Sequence, residues 1–245
     1  VVDISDPIRP TQLVTIPVSG QDIAIVGRYA YVASLYGGHL RILDIISPTA
    51  TVEVGLYQGN QYASAKMVAV SGNYAYLLDC SSCYDYSLAW WLRVLDISDP
   101  RRPTLLSSYS QSSGISDLAA VGTRLYVAAG SQGLVVLDVT NPSQIREVVS
   151  LPSWTANGVA VAGNPSAPLA GQAFAYVAAD WKGFRVVDVS SLSGTARAGV
   201  YNQAPGDARN VAVAGNYAYV ADYDNGLKVV DISNPAAPRE VGLLD

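Results

Sequence analysis

Apolar and polar residues along this chain fall into short runs separated by Gly, Asn, Asp and Pro, and the C-terminal stretch shows the order most plainly. Asn210 to Ala214 is apolar, Gly215-Asn216 is a tight-turn pair, and Tyr217 to Asp222 alternates. Asp224-Asn225-Gly226 then supplies residues that tolerate positive φ, as a hairpin requires. Leu227 to Ile232 runs into Ser233-Asn234-Pro235, where Pro ends a hydrogen-bonded ladder, and Arg239 to Leu243 is a fourth, more polar run. β-Branched and aromatic enrichment, with no helical period longer than a turn, predicts strands throughout. The stretch reads as four short antiparallel strands.

The same order recurs from end to end. A strand phrase closing on an acidic turn appears as Val1-Val2-Asp3-Ile4-Ser5 and again around Asp44, Asp96, Asp138, Asp188 and Asp231, at intervals of 41, 52, 42, 50 and 43 residues. Between these lie Gly27-Arg28-Tyr29-Ala30-Tyr31-Val32, Gly72-Asn73-Tyr74-Ala75-Tyr76-Leu77, Gly122-Thr123-Arg124-Leu125-Tyr126-Val127 and Gly215-Asn216-Tyr217-Ala218-Tyr219-Val220. The fourth copy is split by a Pro/Ala/Gly insertion, Pro165 to Gln172. Four antiparallel strands repeated at this spacing predict an all-β fold, a β-propeller of four-stranded blades. Its first strand is expected to line the axis and be buried on both faces, and Val68-Ala69-Val70, Val159-Ala160-Val161 and Val211-Ala212-Val213 supply small residues for it. A single propeller domain is expected over residues 1–245, with an incomplete blade at 1–18 and complete blades at 19–63, 64–113, 114–155, 156–206 and 207–245. The first piece holds only third and fourth strands, while the C-terminal blade stops after a fourth strand at Leu243-Leu244. The favoured expectation is six blades with the chain beginning upstream; five blades with an N-terminal hairpin, or seven blades, are the alternatives.

The phrase Leu227-Lys228-Val229-Val230-Asp231-Ile232-Ser233-Asn234-Pro235, preceded by Val211 to Asp222 and followed by Ala236-Ala237-Pro238-Arg239-Glu240-Val241-Gly242, resembles the LVIVD repeat of bacterial and archaeal β-propellers. The resemblance covers nearly the entire chain. It implies a propeller that is exported, periplasmic or held at the cell surface, often within a longer protein, with no general activity. The motif positions are architectural, so the resemblance carries over no catalytic residue.

Composition matters mainly for what it excludes. Half of the 245 residues are hydrophobic and 14% are charged, which leaves out disordered, collagen-like and mucin-like chains. A net charge of -5 offers no basic field for phosphates, so nucleic acid and anionic membrane surfaces are set aside as partners. No apolar run approaches the ~20 residues that span a bilayer, so no direct membrane insertion is expected. The start, Val1 to Pro7, has neither a basic n-region nor an apolar h-region, and the missing initiator Met implies a removed leader or a segment of a longer chain.

The two long intervals are the informative departures from the period. In the second blade the turn between second and third strands expands into Cys80 to Trp91, with four aromatics, Tyr84, Tyr86, Trp90 and Trp91. In a propeller this turn lies on the same face as the turns between blades, and those carry Tyr36, Trp154, Trp181, Tyr201 and Tyr223 beside Asp79, Asp85, Asp180, Asp222 and Asp224. Aromatic faces beside carboxylates bind sugar rings by stacking and hydroxyl hydrogen bonds, or a protein through large amphipathic contacts. The competing reading is that the loop folds over the propeller mouth and buries its own aromatics. The candidate partner-binding residues are Tyr36, Tyr84, Tyr86, Trp90, Trp91, Trp154, Trp181, Tyr223, Asp180 and Asp222.

Cys80 and Cys83 allow a short disulfide, a reduced pair or half of a metal site. A metal would need further soft or imidazole ligands, and His39 is the only His, in a distant blade, so a local disulfide is the simplest reading. Asp222 to Gly226 resembles the opening of a calcium loop but lacks the closing acidic residue, position 233 being Ser, and reads as a hairpin turn. The six repeated aspartates are expected to accept backbone hydrogen bonds in the turns that follow them. No nucleophile elbow, His base or phosphate loop occurs, so no catalytic residue, cofactor or metal is assigned. The expected function is a non-enzymatic extracellular binding or scaffold module for a protein or carbohydrate partner, part of a larger chain or assembly. A purely structural subunit and a glycan-active enzyme using an acid pair such as Asp180 with Asp222 are the alternatives.

Overall fold

The computed structural model describes residues 1–35, 39–60, 63–80, 90–111, 114–163, 173–190, 197–201 and 206–245. The chain divides into two compact units, Val1–Ser112 and Ser113–Asp245. In the first, β1 (Val2–Asp3) and β2 (Thr11–Gln12) form a two-stranded sheet. Blade 1 follows as β3 (Gly20–Val26), β4 (Tyr29–Ser34), β5 (Leu40–Asp44) and β6 (Val52–Tyr57). Blade 2 comprises β7 (Ser64–Ser71), β8 (Tyr74–Cys80), β9 (Trp90–Asp96) and β10 (Thr104–Gln111). In the second unit, blade 3 comprises β11 (Asp117–Val121), β12 (Arg124–Ala128), β13 (Leu134–Asp138) and β14 (Arg146–Leu151). Blade 4 is β15 (Gly158–Gly163), β16 (Ala173–Ala178), β17 (Phe184–Asp188) and β18 (Arg197–Tyr201). Blade 5 is β19 (Ala208–Ala214), β20 (Tyr217–Asp222), β21 (Gly226–Asp231) and β22 (Arg239–Leu244).

Each blade is an antiparallel meander, and two local devices set its register. Gly27, Gly72, Gly122 and Gly215 open the first hairpins with φ of 56–59°, the positive value demanded at the first position of a tight two-residue turn. At the end of each third strand the repeated aspartate turns back on the chain. Oδ1 of Asp3, Asp44, Asp96, Asp138, Asp188 and Asp231 accepts the N–H two residues on, at 2.8–3.1 Å. The structural role expected for these six carboxylates is met at every copy. In the five blades a register shift in the fourth strand's pairing follows the turn.

Blades pack face to face within each unit. In the first, Tyr31, Ala33, Leu40 and Ile42 of blade 1 share a core with Ala65, Val68, Ala75, Leu77 and Leu95 of blade 2. In the second, Tyr126 and Val136 of blade 3 meet Ala175, Val177 and Val187 of blade 4. Tyr176 and Val186 of blade 4 meet Ala218, Val220 and Val230 of blade 5. Each large side chain so buried contributes about 1.5–3 kcal/mol. In blades 1 to 4 the second strands are closed on both faces and the first are not: β4, β8, β12 and β16 are almost wholly buried, whereas β3 and β11 keep half-exposed or exposed positions, and in blade 5 both β19 and alternate residues of β20 are exposed. The reason is position in the sheet. A second or third strand has a neighbour on either side, while the first is an edge.

An aspartate at the head of the first strand ties neighbouring blades together. Asp22 in blade 1 accepts the N–H of Ile23 with Oδ1 (2.8 Å) and that of Val68 in blade 2 with Oδ2 (2.9 Å). Asp117 repeats this in the second unit, taking Leu118 (2.8 Å) and Val159 of blade 4 (2.8 Å). Replacing Asp22 or Asp117 with Ala leaves the amide of Val68 or Val159 without its acceptor. Urea denaturation is expected to show a loss of about 1–3 kcal/mol for either variant. The turn clamps add a pH dependence. The side-chain and backbone groups of Thr140, aided by Arg146 and Arg124, hold the Asp138 carboxyl well below the usual carboxylate range. A depressed folded-state pKa contributes stability that is complete above the unfolded value of about 4 and disappears as pH falls below it. Asp138→Asn should therefore be less stable than the parent at pH 7, with the difference shrinking as denaturation is repeated toward pH 3 and below.

Candidate functional site

In the second unit, two hairpins and the head of β19 bring aromatic, acidic and basic side chains together. The β16–β17 turn, Ala179 to Gly183, has the same hydrogen bonds as the β12–β13 turn, Ala129 to Gly133. In the earlier turn the second position is Gly130 at φ 50°; in the later one it is Asp180 at φ 53°, the only non-glycine residue with positive φ among those described. Both positions make a two-bond bridge to the head of the next blade. Gly130 exchanges bonds with Ala156 (3.1 and 2.9 Å), and Asp180 with Ala208 (3.3 and 3.2 Å). The blade connection requires a left-handed residue there, and blade 4 meets it with a carboxylate.

That carboxylate stands within hydrogen-bonding reach of Asp207. Oδ1 of Asp207 is buried and receives no other donor, while Oδ2 pairs with the Arg209 guanidinium. Burial, and next the Asp180 carboxyl, push the Asp207 carboxyl above its usual range against the pull of Arg209. Two carboxyls this close repel one another when both are ionised. Arg209 also lies over the ring of Tyr223, 5.6 Å from its centroid, and the Tyr223 N–H donates to the Asp207 carbonyl at 2.9 Å. On the other hairpin, Lys182 Nζ lies 3.8 Å from the Trp181 ring centroid. Trp181 is 66% and Tyr223 79% exposed.

Asp222 lies beneath this surface and braces it. Its carboxylate accepts from Lys228 Nζ (2.7 Å), Asn225 Nδ2 (2.9 Å) and the N–H groups of Asp207 and Asp224 (both 3.2 Å). Burial opposes ionisation of this carboxyl, but Lys228, Asn225 and the Asp207 amide outweigh it and hold its pKa below the ordinary value. A Cβ at Gly206 would sit 2.1 Å from Asp222 Oδ2, so no side chain fits there. Blade 2 carries an acid–cation pair at the matching positions: Asp79, fully buried, with the partly exposed Arg93 at 2.9 Å. Burial raises the Asp79 carboxyl despite Arg93.

The predicted residues divide accordingly. Asp180, Trp181 and Tyr223 come together on the surface, whereas Asp222, only 6% exposed, is spent on internal bonds. Trp154 is likewise 6% exposed and belongs to the core between blades 3 and 4, which withdraws its ring from contact with a partner. Trp181 and Tyr223 lie in turns between second and third strands, not between blades, and Trp154 alone of the three lies between blades. In the first unit, Cys80, Trp90 and Trp91 belong to the ladder instead of the expanded turn, with Cys80 opposite Trp90 and Asp79 opposite Trp91. Trp90 and Trp91 are half-buried, and Arg93 lies 5.1 Å from the Trp91 ring centroid. Tyr36, Tyr84, Tyr86 and Cys83 lie outside the described residues, as does the Pro165 to Gln172 insertion. Asp207, Arg209 and Lys182 were not singled out from the sequence; comparing the two turns, where Asp180 replaces a glycine, was the available signal.

A family model described as the LVIVD repeat matches residues 19–59, 63–81, 88–111, 115–151, 155–203 and 205–245. Comparison with the curated proteins finds no match. Among solved structures, a protein from Lactobacillus plantarum aligns at 16% identity over 92% of this chain and 71% of its own, with a TM-score of 0.69. The Cps50 (Swd1) β-propeller domain of Myceliophteria thermophila aligns at 10% identity over 89% of this chain and 68% of its own, with a TM-score of 0.64. The computationally designed Ika8 protein aligns at 15% identity over 92% of this chain, with a TM-score of 0.62, and this chain spans 60% of its length. At these identities the likeness shows the β-propeller fold alone.

Asp180→Gly removes a side chain from the left-handed region and one carboxyl from the pair. It should stabilise the protein by up to about 1 kcal/mol. The Asp207 carboxyl resonance, followed by NMR, should titrate at lower pH than in the parent.

Proposed function

The chain belongs to the LVIVD-repeat family, and on that footing we propose that it is a non-enzymatic, extracellular binding or scaffold module. Its partner, a glycan or a protein, docks on the exposed aromatic and acidic surface of the second unit. One observation carries this reading: Trp181 and Tyr223 leave most of their surface in solvent on two hairpins joined through Asp207 and Ala208. Each ring is held by a cation on one face, Lys182 and Arg209, which leaves the other free to stack. Next to Trp181, the Asp180 carboxyl offers an acceptor for hydroxyl or amide hydrogens.

The non-enzymatic reading is supported by spacing and engagement. Carboxyls that cleave glycosides stand about 5–9.5 Å apart, wider than two groups in hydrogen-bonding reach such as Asp180 and Asp207. Asp222, the other acid considered, is neutralised by Lys228. A Cys80–Cys83 disulfide belongs to the same proposal. Cys80 ends β8 fully buried, and a bridge that stiffens the following turn suits an oxidising compartment.

A glycan array and a pull-down from cell-surface extract, run with the parent and with Trp181→Ala/Tyr223→Ala, test the assignment. Both side chains are exposed, so the double variant should keep its melting temperature while losing about tenfold or more in partner affinity. A blank array with capture that depends on both rings assigns the surface to a protein. Binding that survives the double substitution, or no binding by the parent in either assay, overturns the proposal.

A further inference from the structure

Asn157 and Asn225 are the two asparagines in this chain that a glycine follows. An asparagine carboxamide is open to attack by the backbone nitrogen of the next residue, which makes asparagine one of the thermally labile side chains. Glycine after it removes the Cβ that would hinder the approach. The two dipeptides are equal in sequence, and the second unit treats them differently.

Asn157 stands at the head of β15. Its N–H donates to the Ala178 carbonyl (2.8 Å) and its Nδ2 to the Ala208 carbonyl of blade 5 (3.1 Å). Gly158 is buried and pairs with Ala178, and a Cβ on it would sit 2.8 Å from Cα of Asn210 in β19. Blades 4 and 5 thus close on this backbone from two sides. Asn225 ends the β20–β21 turn, and Gly226 after it is exposed at φ 70°. Solvent reaches this peptide, as hydrolysis of a cyclic product requires. The Asn225 Nδ2 donates to Oδ1 of Asp222 (2.9 Å), the oxygen that also accepts the N–H groups of Asp207 and Asp224 (both 3.2 Å).

We propose that Asn225 is a site of spontaneous deamidation that loosens the hydrogen bonds gathered on Asp222, and that Asn157 is protected from the same reaction. The Gly226 nitrogen bonds to Cγ of Asn225 and gives up its proton, the Cγ–Nδ2 bond breaks, and Nδ2 leaves with that proton as ammonia. Water then opens the resulting five-membered succinimide at either carbonyl, leaving aspartate or isoaspartate. Either product deprives Asp222 of a donor and adds a negative charge beside its carboxylate, so an attraction becomes a repulsion. Isoaspartate also lengthens the main chain by one carbon. The turn has no slack to take it up, since a Cβ on Gly226 would sit 2.1 Å from the Leu244 carbonyl oxygen. The change is one-way and accumulates with the age of the chain.

The test ages the folded 245-residue chain in mildly alkaline buffer beside synthetic peptides of residues 153–162 and 221–230. Mass spectrometry of acid-stage digests resolves the amide, aspartate and isoaspartate forms at each site. The two peptides should convert at similar rates, whereas in the folded chain Asn225 should convert at least about tenfold faster than Asn157. Hydrogen exchange at the Asp207 and Asp224 amides should quicken in the converted protein. Asn225→Gln keeps a side-chain amide but closes a six-membered ring far more slowly, so after the same ageing those two amides should exchange as they did at the start. No conversion at Asn225, or equal rates at the two sites of the folded chain, overturns the proposal. So does converted protein whose Asp207 and Asp224 amides exchange as in the parent, or quickened exchange in aged Asn225→Gln.

Discussion

The second and third strands of these blades are apolar on both faces, so a blade gains its stability only when another sheet lies against it. The packing is asymmetric. One face offers a tyrosine with an aliphatic residue opposite it, and the face it meets offers smaller residues, as where Tyr176 and Val186 meet Ala218, Val220 and Val230. That difference in size sets the order of stacking, because two tyrosine faces would collide and two alanine faces would leave voids. Tyr219 is 36% exposed although its counterparts Tyr31, Tyr76, Tyr126 and Tyr176 are at most 4% exposed, with no difference in local sequence to account for it.

Carboxylates supply the precision that apolar packing lacks. Three placements recur, each with its own task. At the end of third strands Asp closes a turn two residues long; at the head of first strands Asp22 and Asp117 reach into the next blade; at the end of second strands the buried carboxylates of Asp79 and Asp222 hold a cation from the strand beside them. The last arrangement is the costliest, since both charges are taken from water. It is found in the blade of the long Cys80 to Trp91 interval and in the blade of the Asp207 surface, and in the second case the carboxylate binds the backbone of Asp207 and Asp224, the chain that carries the aromatic site. The buried pair therefore positions an exposed surface.

What was legible in the sequence was local. The turn clamps span two residues and the first hairpins need a glycine at one position, so both repeat visibly and fix strand order before any contact is known. Contacts between blades were not legible. Asp22 and Val68 are 46 residues apart, and nothing in Asp22-Ile23 distinguishes a staple from a surface acid. Trp154 read as available to a partner because it lies in a turn between blades, but the close approach of blades 3 and 4 absorbs it. Asp222 likewise read as surface chemistry because Lys228, the residue that neutralises it, is carried on the neighbouring strand, where its side chain is only 7% exposed.

Asp180 marks a break in the repeat pattern. The bridge from the β16–β17 turn to Ala208 needs positive φ, and blade 3 meets the same need at Gly130 with no steric cost. An L-residue there costs on the order of 1 kcal/mol, and an acid placed against Asp207 adds repulsion unless a proton is shared. Neither cost is returned by the connection itself, since the glycine turn makes the same bonds at shorter distances. Backbone strain, carboxyl repulsion and two solvent-exposed rings thus coincide within one short stretch of surface, and none of them improves the packing of blade 4 on blade 5. A repeat protein concentrates such departures in its turns because the strands cannot absorb them. These departures are the features on which the proposed binding surface at Trp181 and Tyr223 rests.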